Sequence, residues 1–253
     1  MQYSTELVIR IVVAIVFAVI MGNGSVVAFN RMPAKWFEEY PEDAEIGTDA
    51  EKELPEKLLE ADAMGRQRLP SSPWKYAFVG YFAITGLYLA IRGSSIKYEI
   101  AVLCILFVVL EMAISDQLYQ VAPDQFSWAL IVIAISFTDY YDKWWEQSVG
   151  ALIGLGISFA ILILGNLLFK TGSIGGADIK FFGCMGLITG RSGVVIIFIL
   201  TTLIFAVYSL IRIATGRGSI KDKNAMLPSG LAAVTVYFLF LWNLPAELIT
   251  VSL

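Results

Sequence analysis

Ser173-Ile174-Gly175-Gly176-Ala177-Asp178-Ile179-Lys180-Phe181-Phe182 sets a carboxylate and an ammonium at the head of an apolar run. Three small residues come just before the acid, and long hydrophobic segments lie on both sides. Charge at the edge of a bilayer is costly without a partner or water, so position alone makes Asp178 a functional candidate. The composition supports a membrane setting. Of 253 residues, 57% are hydrophobic and only 16% are charged, where a soluble domain carries about 25%. Mean hydropathy is +0.71. Several apolar runs reach the ~20 residues that a helical crossing needs.

The expected fold is therefore all-α, a polytopic transmembrane helical bundle of about eight spans with one acidic cytosolic loop. The spans fall near 6–28, 74–92, 98–115, 126–139, 149–169, 179–190, 193–213 and 229–250. The fourth and sixth are short for a full crossing. Residues 1–30 form the first transmembrane helix, 31–73 the loop and 74–253 the transmembrane core. The first run is read as a retained helix: no basic segment precedes it, Arg10 lies inside it and no small-x-small cleavage site follows. Small faces such as Gly150, Gly154 and Gly156 favour close helix packing.

Basic residues set the orientation. With 31–73 placed inside, 13 of the 18 Lys and Arg fall on the inner side. The positive-inside rule then puts both termini outside and the loop in the cytosol. The loop holds 11 acids and six bases over 31–72, is too polar to build a core alone, and has room for one helix near 49–65 with Leu54, Leu58, Leu59 and Met64 on it. The net charge of −4 says little about nucleic acid, because the acids cluster in this loop, and no nucleic-acid partner is expected.

There is no histidine, which excludes His-based triads and the usual zinc ligands. Cys104 and Cys184 sit far apart in apolar runs, as buried hydrophobes would. No metal and no cofactor is expected. Among the acids, Asp139, Asp142 and Glu146 lie on the outer side beside Tyr140, Tyr141, Trp144 and Trp145, the composition of an interfacial aromatic belt. Glu111 has the position of a buried structural acid.

Asp116 closes the third span, and Pro123 with Asp124 opens the fourth after a break. Asp178 begins the sixth span at the same inner boundary. Two carboxylates from different helices thus meet one membrane face at one depth. Close carboxyl groups do not readily both ionise, so one holds a proton while the other is charged. Such a pair can activate water with one member and protonate an amide carbonyl with the other. Two structural helix caps are the alternative.

These residues resemble the type IV prepilin peptidases, a family of integral-membrane aspartic proteases that includes preflagellin peptidases. Its signature is Gly-x-Gly-Asp-x-Lys, preceded by an aspartate with a later Pro-Asp or Pro-Asn. Asp116 with Pro123-Asp124 matches the first element. Gly175-Gly176-Ala177-Asp178-Ile179-Lys180 matches the second, with Ala177 where the family has a glycine. Looser matches are Gly22 to Pro33 near the start, Gln147 to Gly154, and Leu227-Pro228-Ser229-Gly230 at the last helix. The resemblance implies Asp116 and Asp178 as catalytic residues at the inner membrane, acting on a prepilin-like precursor protein. Gly175 and Gly176 would allow unusual dihedrals and close substrate approach; Ala177 would resist φ > 0. Lys180 would either stabilise the ionised dyad or anchor at the membrane edge.

Two features depart from the pattern of many bacterial members. The loop has no four-cysteine metal site, and Gly80 stands where a glutamate associated with N-terminal methylation would be. A second methyltransferase activity is thus an alternative that the Gly22–Pro33 resemblance favours and Gly80 opposes. A transporter or channel using paired acids is a rival of another class. A presenilin-like protease is a further rival, but Ser115-Asp116 followed by Pro123 fits it less well.

Overall fold

The structure is a computed structural model that describes residues 2–38, 54–92, 95–169, 175–217 and 224–242. Ser173, Ile174, Lys170, Lys221 and Lys223, the first part of the expected 49–65 helix and the end of the expected last span lie outside these residues. Among the described residues every regular element is helical: α1 (Gln2–Arg31), α2 (Glu56–Ala63), α3 (Ser71–Arg92), α4 (Ile96–Tyr119), α5 (Asp124–Ala134), α6 (Trp145–Phe169), α7 (Gly176–Ala214) and α8 (Leu227–Val236). A 3₁₀ turn, Ile135–Tyr140, prolongs α5, and a π turn, Tyr237–Leu241, prolongs α8. Among the described residues, five helices (α1, α3, α4, α6 and α7) are long and apolar enough to cross a membrane.

α7 is longer than one crossing requires. Its 39 residues would extend ~58 Å as a straight helix, about twice a ~30 Å hydrocarbon core. It is instead two arms folded back on each other at Gly190, where φ is 67° and ψ is −172°. The rings of Phe182 and Phe198 lie 5.1 Å apart, although 16 residues of straight helix would separate them by ~24 Å. The break falls where the sequence separates its sixth and seventh expected spans. Tyr141 fills the bend: its hydroxyl donates to the Ile188 carbonyl at 2.8 Å. Burial raises its phenol above the ordinary tyrosine range, so it stays a donor.

Close backbone contact holds the helices. A Cβ on Gly150 would lie 2.3 Å from the Gly186 carbonyl oxygen, and one on Gly154 would lie 2.2 Å from that of Phe182. α6 and the first arm of α7 therefore cross with no side chain between them, as the small face predicts. Gly156 on the same helix faces open space and takes no part. α1 and α3 pair in the same way at Gly22 and Val79. Near the other end of α1, Arg10 is buried; it donates to the Leu89 carbonyl at 3.0 Å and lies 3.5 Å from Glu99, joining α1, α3 and α4.

α4 is the central helix and is buried along most of its length. Glu111 on it is buried, as expected. The expected aromatic belt differs at Tyr141, which turns inward; Tyr140, Trp144 and Trp145 are exposed, and Tyr140 also edges a ring cluster with Tyr98, Phe137 and Trp242. Two contacts that link this cluster to charge are Lys97 with Asp139 and Arg92 with the Leu239 carbonyl.

The polar loop also behaves differently from its composition. Its described parts dock on the bundle end that carries Tyr119. Phe37 is fully buried and packs edge-on against Tyr119, which stacks on Phe29. Asn30 brackets Leu69, donating to its carbonyl at 2.9 Å and accepting from its N–H at 2.8 Å. Arg68 donates to the Met32 carbonyl. Of the predicted apolar face, Leu58 is buried while Leu59 and Met64 are exposed. The described parts of the loop thus lend side chains to the bundle's core.

Candidate active site

The first motif folds as one tight corner. Ser115 donates its hydroxyl to the Val121 carbonyl, and Gln120 takes a left-handed conformation (φ 59°) that ends α4. Pro123 then caps α5 with φ −55°, close to the value that its ring imposes. The corner leaves Asp116 in the last turn of α4 and Asp124 in the first turn of α5. Asp116 is buried.

The second motif begins α7. Gly175 is the N-cap, and Gly176, Ala177 and Asp178 are the first three helical residues. The Gly175 N–H donates to the Asp178 carboxylate at 3.3 Å, and the Asp178 N–H donates to the Gly175 carbonyl at 3.1 Å. An acid in the first turn of a helix is favoured by the helix dipole. Gly175 is extended (φ −73°) and Ala177 is helical, so neither needs a positive φ. The expected unusual dihedrals are absent, and alanine is no obstacle at 177. A helix N-terminus simply does not require them. What the glycines leave is room: Gly175 and Gly176 are exposed, and a Cβ on Gly176 would meet nothing within 4 Å.

These two segments meet at one end of the bundle. Asp178 feels the negative charge of Asp116, so the two carboxylates lie within electrostatic reach across α4 and α7. Lys180, one turn into α7, pairs with Asp124 at 2.5 Å. Its charge is directed to the other motif's last residue, a partner that neither sequence reading of Lys180 named.

One component of the site was not among the predicted residues. The carboxylate of Asp116 accepts the N–H of Leu227 at 2.9 Å and also that of Met226. Asp116 therefore caps α8 from a helix 111 residues earlier. The signal lay in Leu227-Pro228, since proline in the first turn marks a helix start and a helix start seeks an anion. The sequence does not say which carboxylate answers it. Gly230 follows, and a Cβ there would lie 3.1 Å from the Phe181 ring.

A buried acid and a half-buried acid on separate helices thus stand beside an open glycine approach, with a helix terminus held by one of them. The family model of the type IV leader peptidases matches residues 100–210. That stretch, similar to the type IV leader peptidase family, runs from α4 into the second arm of α7 and carries both aspartates. The chain is a multi-pass membrane protein with a leader-peptidase-like protease region. No curated protein and no solved structure matches it.

Proposed function

We propose that the protein is a membrane-embedded aspartic endopeptidase that removes the leader of prepilin-like precursors, such as a type IV pilin, pseudopilin or archaellin, at the cytosolic face. The observation that carries this is the convergence of Asp116 and Asp178 from separate helices at one end of the bundle. α5 with its 3₁₀ turn, the two arms of α7, and α8 with its π turn would complete about eight passes, with both termini outside and the loop inside.

In this reading the two carboxyl groups share one proton and one water. The ionised member takes a proton from the water as its oxygen bonds to the scissile carbonyl carbon. The protonated member donates to the carbonyl oxygen, giving a neutral gem-diol. The member that took the water's proton then gives it to the departing nitrogen while the other takes one from a gem-diol hydroxyl; the carbonyl reforms, the C–N bond breaks, and the pair again holds one proton. The precursor's apolar helix would lie among the spans while its leader junction passes over Gly175 and Gly176.

Processing of a co-expressed prepilin tests this. Asp116→Asn and Asp178→Asn should each abolish cleavage, and the double variant should be little worse, since the pair acts as a unit. Normal cleavage in either single variant refutes the assignment.

A further inference from the structure

A groove lies beside Asp116 at the same end of the bundle. Its inner part, about 190 Å³, is lined by Gln117, Ile204, Tyr208, Ala225, Pro228 and Ser229. Its outer part, about 470 Å³, shares Gln117 and Tyr208 and adds Arg212, Thr215 and Arg217. The two parts meet at Gln117, the residue after Asp116, and at Tyr208 on the second arm of α7. A proteolytic dyad explains neither the two arginines nor the volume.

The arginine nearest the arm is already oriented. Arg212 donates to the Asn224 side chain and, at 3.1 Å, to the Arg217 carbonyl. Its guanidinium lies 6.0 Å from the centre of the Tyr208 ring. Those contacts hold a planar, always-charged fork at the rim, a form suited to a phosphate. The surface next to it is apolar: Val207, Leu210 and Ile211 are 56%, 65% and 57% exposed. That stretch of α7 is part of a helix long and apolar enough to cross a membrane, so in a bilayer these side chains would lie toward acyl chains. An apolar wall leading to a basic, tyrosine-edged cavity matches a molecule with a hydrocarbon tail and an anionic head.

We infer that this groove binds the phosphodiester headgroup of an anionic phospholipid, with Arg212 and Arg217 on the phosphate and the acyl chains along Val207, Leu210 and Ile211. A soluble phosphate would satisfy the arginines but leave the adjoining apolar wall uncovered. An acidic segment of a protein substrate would be drawn to the same charge, yet nothing on the wall selects it over lipid. The inference does not depend on the peptidase reading.

Native mass spectrometry of the full chain in mild detergent, loaded with equal phosphatidylglycerol and phosphatidylcholine, tests it. The wild type should retain phosphatidylglycerol in preference to phosphatidylcholine. Arg212→Gln with Arg217→Gln should weaken that preference about tenfold or more, since each basic residue near an anionic lipid contributes on the order of one factor of five. Arg212→Lys with Arg217→Lys should keep most of it, which separates lost charge from lost folding. Arg31→Gln, another basic residue at the end of a span, should change nothing. Equal retention by the wild type and the double Gln variant overturns the inference. So does displacement of the lipid by millimolar inorganic phosphate, which would make free phosphate the ligand, or by an acidic peptide, which would make the groove a protein site.

Discussion

The ammonium of Lys180 and the carboxylate of Asp124 stand 2.5 Å apart, and through them the segment bearing Asp178 is tied to the corner bearing Asp116. Both side chains are about half exposed or more, so the pair contributes at most about 1 kcal/mol to stability. Its effect should fall on geometry. Lys180→Asp alone should slow precursor processing by about tenfold without a measurable change in thermal midpoint; a displacement of about 1 Å at a catalytic group can cost more than that. The exchange Lys180→Asp with Asp124→Lys should restore much of the rate. An exchange no better than the single variant would mean that Lys180 acts through something other than Asp124.

Asp116 and Asp178 should differ once stability is measured beside activity. Asp116→Ala leaves the Leu227 N–H without its acceptor in a buried setting, at a cost of about 1–3 kcal/mol. Its thermal midpoint in detergent should drop clearly. Asp116→Asn keeps an acceptor oxygen and should fall less. Asp178→Ala gives up one 3.3 Å bond from Gly175 at a half-exposed position and should leave the midpoint near wild type. Equal losses for the two alanine variants would argue against Asp116 as the cap of α8.

The helix crossings supply a steric prediction. Gly150→Leu would drive a side chain into the Gly186 backbone and should give no monodisperse protein on size-exclusion chromatography. Gly156→Leu on the same helix faces open space and should purify as the wild type does.

Gly190 carries two constraints at once. An alanine there would hold φ near +67° and bring its Cβ to 2.9 Å from the Tyr141 ring. The backbone strain alone is worth about 1–3 kcal/mol. Gly190→Ala should therefore lower the thermal midpoint, while Gly80→Ala, which meets nothing within 4 Å, should not.

The buried pair of Arg10 and Glu99 should be harsh to halve and mild to replace. Arg10→Met alone leaves an uncompensated acid inside the bundle, at about 3–5 kcal/mol. Arg10→Met with Glu99→Leu removes both charges and should recover most of the loss in a thermal unfolding series. A double variant as unstable as the single one would mean that the bond from Arg10 to the Leu89 carbonyl dominates.

The sequence by itself determined the membrane class, the helical fold and the two aspartate motifs. Long apolar runs cannot satisfy their backbone in lipid except as helices, and charges at their edges stand out against them. It also marked the break between the sixth and seventh spans, because Arg191 and Ser192 interrupt the hydrophobic run. The tertiary structure decided what those local signals could not contain. It paired Lys180 with Asp124, placed the α8 terminus on Asp116, and drew Phe37, Leu58 and Leu69 out of a polar loop into the core. Each of these is a contact between residues far apart in the chain, and local pattern carries no record of which distant partner a charge or an N–H will meet. At the opening motif the same division holds: sequence supplied Asp178 and its glycines, while the fold showed that Gly175 and Gly176 serve as an open helix start and not as a strained loop.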